Sequence, residues 1–224
     1  MASLDLTHRA TDAERLDQGV PEAEALASLA DLRFVNRWLG NRARFLAAVR
    51  PYLRGSPRPR LLDVGCGSAD VPAALARADR RLLAVGVDLK PLHVRGAPAE
   101  VRPVVADAQA LPFPPASFDV VTASLFLHHF GADELPALLR SLYALARRAL
   151  VVNDLRRARV PYLFGRVAFP LLFRSAVSVD DGLTSIRRAF TEDELRAAFS
   201  AAGLPVRVWR TWPYRLLAVA ERAA

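Results

Sequence analysis

A chain of 224 residues with 52% apolar and 8% aromatic residues can build one large core; it is not a disordered chain and is short for two full domains. No apolar run reaches the roughly 18 residues of a transmembrane helix. The start, Met1-Ala2-Ser3-Leu4-Asp5, lacks the basic and apolar stretches of a signal peptide, and Cys66 is the sole cysteine, so a cytoplasmic protein without an internal disulfide is expected. The net charge of +8 is almost wholly arginine, Lys90 being the only lysine, and the arginines are dispersed rather than interleaved with aromatics. Nucleic acid is therefore not the expected partner.

In chain order, the first twenty residues are polar and are expected to be loosely ordered. Residues 22–39 read as a helix ended by Gly40, and 42–49 as a second, short helix before Pro51. The run Gly55-Ser56-Pro57-Arg58-Pro59 closes an N-terminal helical extension of residues 1–59 and leaves 60–224 as the main domain. Short apolar runs follow at 61–64, 82–87, 101–105, 118–124 and 149–153, without polar alternation, as in strands covered on both faces. Helical patterns at 69–78 and 133–147 lie between them. This alternation predicts an α/β fold with a doubly wound, mostly parallel seven-stranded sheet. Near the end, Thr191 and Glu194 form a capping box before the apolar face Leu195, Ala198, Phe199 and Ala202. Residues 206–209 and 216–220, linked across Trp212-Pro213-Tyr214, predict a C-terminal antiparallel hairpin.

The densest chemical signal is Leu62-Asp63-Val64-Gly65-Cys66-Gly67-Ser68-Ala69-Asp70. A buried strand enters a Gly-x-Gly turn and a helix follows, so backbone can approach a ligand that a Cβ would repel. A dinucleotide fingerprint needs a small residue where Asp70 stands, and an acid there is a poor neighbour for pyrophosphate. Asp63 suits a ligand that carries a cationic amine. Asp88 ends the next strand about twenty residues on, where a carboxylate can accept from both hydroxyls of a ribose. Cys66 reads as a small turn residue rather than a nucleophile.

The ordered set 63–70, Val87-Asp88, Ala106-Asp107-Ala108, 111–119, Leu127-His128-His129-Phe130 and 190–195 resembles the class I S-adenosylmethionine-dependent methyltransferases. The likeness is to their small-molecule branch, which includes the ubiquinone/menaquinone-type enzymes. The resemblance implies that Gly65, Cys66 and Gly67 cradle the methionine part of S-adenosylmethionine, with Asp63 near its amino group. It implies ribose contacts from Asp88 and Leu89, adenine contacts from Asp107 and Ala108, and Ser124 near the sulfonium. One departure is visible: Pro91, Gly96 and Pro98 leave very little of the usual second helix.

Methyl transfer from a sulfonium needs alignment and exclusion of water, and a hydroxyl acceptor benefits from a base. His128 and His129 are the candidate bases, with His129 preferred; an extended segment would point them to opposite sides, and local packing or capping is the competing reading. Asn153 and Asp154 end a strand at the same edge, and Asp154 is the third catalytic candidate. His93 and His8 have no supporting context. No spacing of His, Cys, Asp or Glu fits a metal, so none is expected.

Residues 156–190 form a long insert, rich in apolar residues and opened by Arg156, Arg157 and Arg159. It reads as a lid over a greasy pocket, as a membrane-touching segment, or as a core helix, with Pro170 starting any helix that carries Phe173. With Arg37, Trp38 and Leu39 it would roof a small hydrophobic acceptor. An O-methylated phenol or polyketide-like compound is expected ahead of C-methylation. RNA methylation and a catalytically silent S-adenosylmethionine-binding subunit are the alternatives.

Overall fold

The computed structural model describes residues 5–38 and 41–222. The apolar runs become β1 (Arg60–Val64), β2 (Leu83–Asp88), β3 (Val101–Val105), β4 (Phe118–Ser124) and β5 (Ala146–Leu155), all parallel; β1, β2, β4 and β5 are buried along most of their length, as their apolar composition requires. The hairpin forms as expected from β6 (Arg207–Thr211) and β7 (Arg215–Glu221), and β7 pairs antiparallel with β5. The seven strands lie in the order β3-β2-β1-β4-β5-β7-β6. After β1 the chain winds outward through β2 and β3, then returns to place β4 on the other side. The direction reverses between β1 and β4, and their carboxyl ends open the crevice where such sheets bind ligands.

Each sheet face carries its own apolar layer. On one, α6 (Leu135–Leu145) and α9 (Glu192–Ala201) bury Leu135, Leu139, Leu142, Leu195 and Phe199. On the other, α3 (Asn41–Leu53) and α4 (Asp70–Ala78) bury Phe45, Val49, Val71 and Leu75. The capping box on α9 is present in full: Thr191 Oγ1 accepts from Glu194 N at 3.2 Å, and Glu194 Oε2 accepts from Thr191 N at 2.7 Å.

Several boundaries differ from the sequence reading. The helix expected over 133–147 stops at Leu145, because Ala146 is already paired opposite Phe118. Strand 101–105 was expected to be covered on both faces but is the sheet edge, with Arg102, Pro103 and Val105 exposed; proline is tolerated at an edge because no neighbour needs its N–H. Helix α3 runs through Pro51, and the insert's first helix, α7 (Arg159–Leu172), runs through Pro170 instead of starting there. Both prolines sit near the C-terminal end of their helix, so few turns follow the lost backbone bond. The helix after β2, of which the sequence leaves very little, is the five-residue α5 (Pro91–Arg95). The proposed stop at Gly40 and the roof residue Leu39 lie outside the described residues, as does the side chain of Trp38; α2 is described over Glu22–Trp38.

The largest correction concerns the polar N-terminal segment. Its described part, residues 5–20, is docked, not loose. The Arg9 guanidinium donates to Arg188 O (2.7 Å) and Phe130 O (2.9 Å), and Ala10 N donates to Arg187 O (3.1 Å). The first turn of α1 (Arg15–Gln18) donates from Arg15 N and Leu16 N to the Asp181 carboxylate at 2.7 and 2.9 Å. Its acceptor surface is α8 (Ala176–Arg188), the second helix of the insert. Its polar composition gave no sign of burial, because most of the hold comes from hydrogen bonds to remote groups, joined by Leu16 packing on Val177 of α8.

Candidate active site

The crevice is a cavity of about 900 Å³, and every residue expected at the cofactor lines it: Asp63, Gly65, Cys66, Gly67, Asp88, Leu89, Asp107, Ala108 and Ser124. His128 and His129 line it too, and Asp154 does not. The glycine turn has the left-handed geometry its composition predicts, with φ of +66° at Gly65 and +52° at Gly67. A Cβ on Gly65 would collide with the Phe126 ring, whereas one on Gly67 would meet nothing nearer than Leu29 at 3.9 Å. Cys66 packs its sulfur against β2 at Gly86, and burial pushes its thiol far above the ordinary range, in line with a turn residue and not a nucleophile.

Acidic groups dominate the inner wall. Asp63 is 2% exposed and held by the Thr122 hydroxyl at 2.6 Å; burial, with Asp70 and Asp88 adding to it, pushes its pKa up to about 7. Asp70 accepts from Asn36 Nδ2 through one oxygen (3.3 Å), while its other oxygen is buried without a partner. A carboxylate orphaned beside Asp63 fits a ligand that brings positive charge and donors, as the ammonium and sulfonium of S-adenosylmethionine do. A pyrophosphate would meet repulsion there.

Asp88, expected at a ribose, also binds the chain itself. Its Oδ2 accepts from Gly67 N (2.9 Å) and its Oδ1 from Lys90 N (3.0 Å), tying β2 to the glycine turn. His93, which had no supporting context in the sequence, is buried with Nδ1 3.0 Å from Asp88 Oδ1, and its Nε2 has no partner. Burial works against the ionised Asp88, but His93 and the two backbone donors hold it below the usual carboxylate range. Asp107 is exposed at the rim, its Oδ1 accepting from Gln109 N at 2.9 Å, with Ala108 buried beside it.

The histidines do not diverge. Residues Leu127–His129 form a single 3-10 turn, which carries both rings into the cavity wall with centroids 4.4 Å apart. An extended segment would have separated them; the tight turn does not. His128 is fully enclosed, between Asp154 Oδ1 (2.6 Å from Nδ1) and Glu14 Oε1 (3.4 Å from Nε2). Burial opposes a charge on His128, but Asp154 and Glu14 outweigh it and push its pKa up to about 9. Asp154, the third catalytic candidate, is 0% exposed behind this ring and outside the cavity lining, so any part it plays would run through His128. Asn153 donates to Ser124 Oγ at 2.8 Å. His129 is the more open of the pair, with Nδ1 2.8 Å from Asp17 Oδ2 and Nε2 4.0 Å from Glu14 Oε2.

Glu14 and Asp17 were missed entirely, since both lie in the segment read as loose. The ligand atoms of Glu14, His128 and His129 lie within 4.8 Å of one another, a clustering that sequence spacing did not show. In the ion-free chain the His128 ring lies between the Asp154 and Glu14 carboxylates, one at each ring nitrogen. Ser185 Oγ, from α8, holds Glu14 from behind at 2.6 Å.

The far wall is apolar. Phe164, Phe169 and Phe173 of the insert line the cavity, and Phe169 and Phe173 stack at 4.7 Å on one face. The Phe169 ring packs over two glycines, Gly165 of its own helix and Gly182 of α8; a Cβ there would stand 2.7 or 2.9 Å from it.

Residues 61–149 match the family of methyltransferase domains. Over 181 residues the chain is 32% identical to the demethylmenaquinone methyltransferase of Roseiflexus castenholzii, covering 73% of each protein. It is 39% identical over 105 residues to a malonyl-[acyl-carrier protein] O-methyltransferase of Halorhodospira halophila, a match spanning 44% of this chain and about a third (34%) of that protein. In fold it is similar to the plantazolicin methyltransferase solved with SAH, at TM-score 0.68 and 14% identity, covering 93% and 99% of the two chains. No helix among the described residues is long and apolar enough to cross a membrane. With its switch-point glycine turn, acidic cofactor wall and these relatives, the chain belongs to the class I S-adenosylmethionine-dependent methyltransferases.

Proposed function

We propose that this enzyme methylates the hydroxyl of a small hydrophobic acceptor, a phenol or a polyketide-like compound. The observation that carries the reading is one continuous cavity with an acidic cofactor wall at one end, an aromatic wall from the insert at the other, and the two histidines between. S-adenosylmethionine supplies an electrophilic methyl group on a sulfonium. Asp63 and Asp70 would hold its amino-acid end over Gly65 and Gly67, and Asp88 its ribose. Asp107, Ala108 and Leu89 would border the adenine, with Ser124 beside the sulfonium.

The proton of the acceptor hydroxyl would leave to His129. Asp17 fixes its Nδ1 at 2.8 Å, which keeps Nε2 as the basic nitrogen. His128, held protonated between Asp154 and Glu14, positions its neighbour and adds positive charge where an alkoxide or phenolate forms. That arrangement favours O-methylation over C-methylation and calls for no metal. Residues 1–59 act as an extension that completes the acceptor side of the domain 60–224 by delivering Glu14 and Asp17. A cytoplasmic enzyme fits this reading.

The demethylmenaquinone relative, and a 27-O-demethylrifamycin SV methyltransferase of Amycolatopsis mediterranei that is 38% identical over 93 residues, support a small-molecule acceptor. The test is turnover of methyl-labelled S-adenosylmethionine with a panel of lipophilic phenols and with bulk RNA. Label in the phenols is expected; label in RNA alone, or in neither, would sink the reading.

A further inference from the structure

Helix α7 presents an apolar ridge to the outside. Val160, Leu163, Phe164, Val167 and Leu171 are 57%, 54%, 57%, 71% and 82% exposed, and their spacing of three, four, seven and eleven residues from Val160 puts them on one face. Gly165 is the only buried residue on the helix. Scattered exposed leucines need no explanation, but an unbroken stripe along a helix of 14 residues does.

Charge indicates what covers it. No Asp or Glu occurs between Asp154 and Asp180, while five arginines do. Arg157 is removed from the surface by Glu194, at 2.5 Å, and Arg156 lies over the Tyr214 ring. Arg159, Arg166 and Arg174 are exposed and make no ion pair among the described residues. An apolar ridge flanked by unpaired cations matches the interface of an anionic bilayer, where apolar side chains enter the acyl boundary and arginines meet headgroups. A second copy of the ridge would bring like charges together. The ridge is also continuous with the cavity: Val160 and Phe164 belong to both, and Trp212, 67% exposed, lines the same rim. Tryptophan with an apolar body and one donor suits that depth.

We propose that α7 rests in the surface of an anionic membrane, with Trp212 at headgroup level, so that a lipophilic acceptor passes from the bilayer into the cavity. The acceptor part rests on the function proposed above; the docking part does not. The experiment is co-sedimentation of the full chain with phosphatidylcholine vesicles, with and without phosphatidylserine, at low and high salt. Binding is expected only with phosphatidylserine and should weaken with salt. The V167E/L171E variant alters two side chains that face solvent, so its melting temperature should match the parent while vesicle binding falls tenfold or more. A blue shift of tryptophan emission on binding should shrink in W212F. Failure to bind phosphatidylserine vesicles, unchanged binding by V167E/L171E, or a dimer in light scattering that this variant dissolves would overturn the proposal. Vesicle binding with no turnover of any lipophilic acceptor would leave docking standing and defeat the acceptor reading.

Discussion

The Nδ1 of His128 stands 2.6 Å from Asp154 Oδ1 at a place where the two side chains are 3% and 0% exposed. With Glu14 on the other ring nitrogen, this pair holds the imidazole as a cation in the folded chain, whereas the unfolded chain releases that proton near 6.5. The stabilisation is complete below pH 6.5 and is lost as pH rises through 9. The melting temperature should therefore fall between pH 7 and pH 9.5, and His128→Gln should flatten that profile. In a domain of this size about 1 kcal/mol corresponds to roughly 2–4 °C. A parent profile as flat as the variant's would contradict the charged His128.

His129→Ala should lower kcat by roughly 100-fold or more while S-adenosylmethionine affinity stays put, because the role proposed for the ring is proton transfer and not cofactor contact. Asp17→Asn should lower kcat less, through the orientation of Nδ1, with the pH–rate profile displaced. Equal rates in His129→Ala and parent would leave alignment alone as the source of catalysis.

Cofactor affinity should depend on Asp63. Its pKa of about 7 means that near half the free enzyme carries a protonated Asp63 at neutral pH, and an ammonium prefers the carboxylate. The sign follows: affinity rises with pH, by about tenfold from pH 6 to pH 8 for one group of this pKa, and binding releases a proton. Calorimetry in buffers of different ionisation enthalpy reads both. Asp63→Asn should bind weakly with no such pH dependence; a parent affinity that falls as pH rises would remove Asp63 from the ammonium site.

Asp88→Ala should weaken S-adenosylmethionine binding by on the order of 1–3 kcal/mol, since it removes the ribose acceptor and strands the N–H groups of Gly67 and Lys90. The parent should ignore NAD. Calorimetric NAD binding, or an Asp88→Ala variant with parental affinity, would contradict the assignment.

The two stacked phenylalanines should separate packing from recognition. Phe169 fills the gap between Gly165 and Gly182, so Phe169→Ala should lose about 3–5 kcal/mol of stability as well as raising KM for a lipophilic acceptor. Phe173 packs less tightly, and Phe173→Leu should raise KM with little loss of melting temperature and no change in cofactor affinity. If both variants lose only stability, the aromatic wall is core and not an acceptor pocket.

Much of the fold was legible because its signals are local. An apolar run such as residues 118–124 reads as a strand buried on both faces, Gly65 and Gly67 announce a turn with positive φ, and Thr191 with Glu194 writes a helix start in four residues. Those local signals, in order along the chain, set the sheet, the cofactor edge and the family. His128, His129 and Asp154 were legible as candidates, but the acids that complete their cluster were not, because those lie far away in sequence and reach the histidines only through the fold. Glu14 and Asp17 look like ordinary surface acids in a polar segment until Asp181 and Ser185 of α8 fix them beside His128 and His129. Asp154 and His93 likewise gained their partners from packing. Sequence alone determined the sheet and its glycine turn, through apolar periodicity and backbone geometry; the tertiary structure decided which charged side chains stand next to one another, because burial and distance set charge, and neither is written in residue spacing.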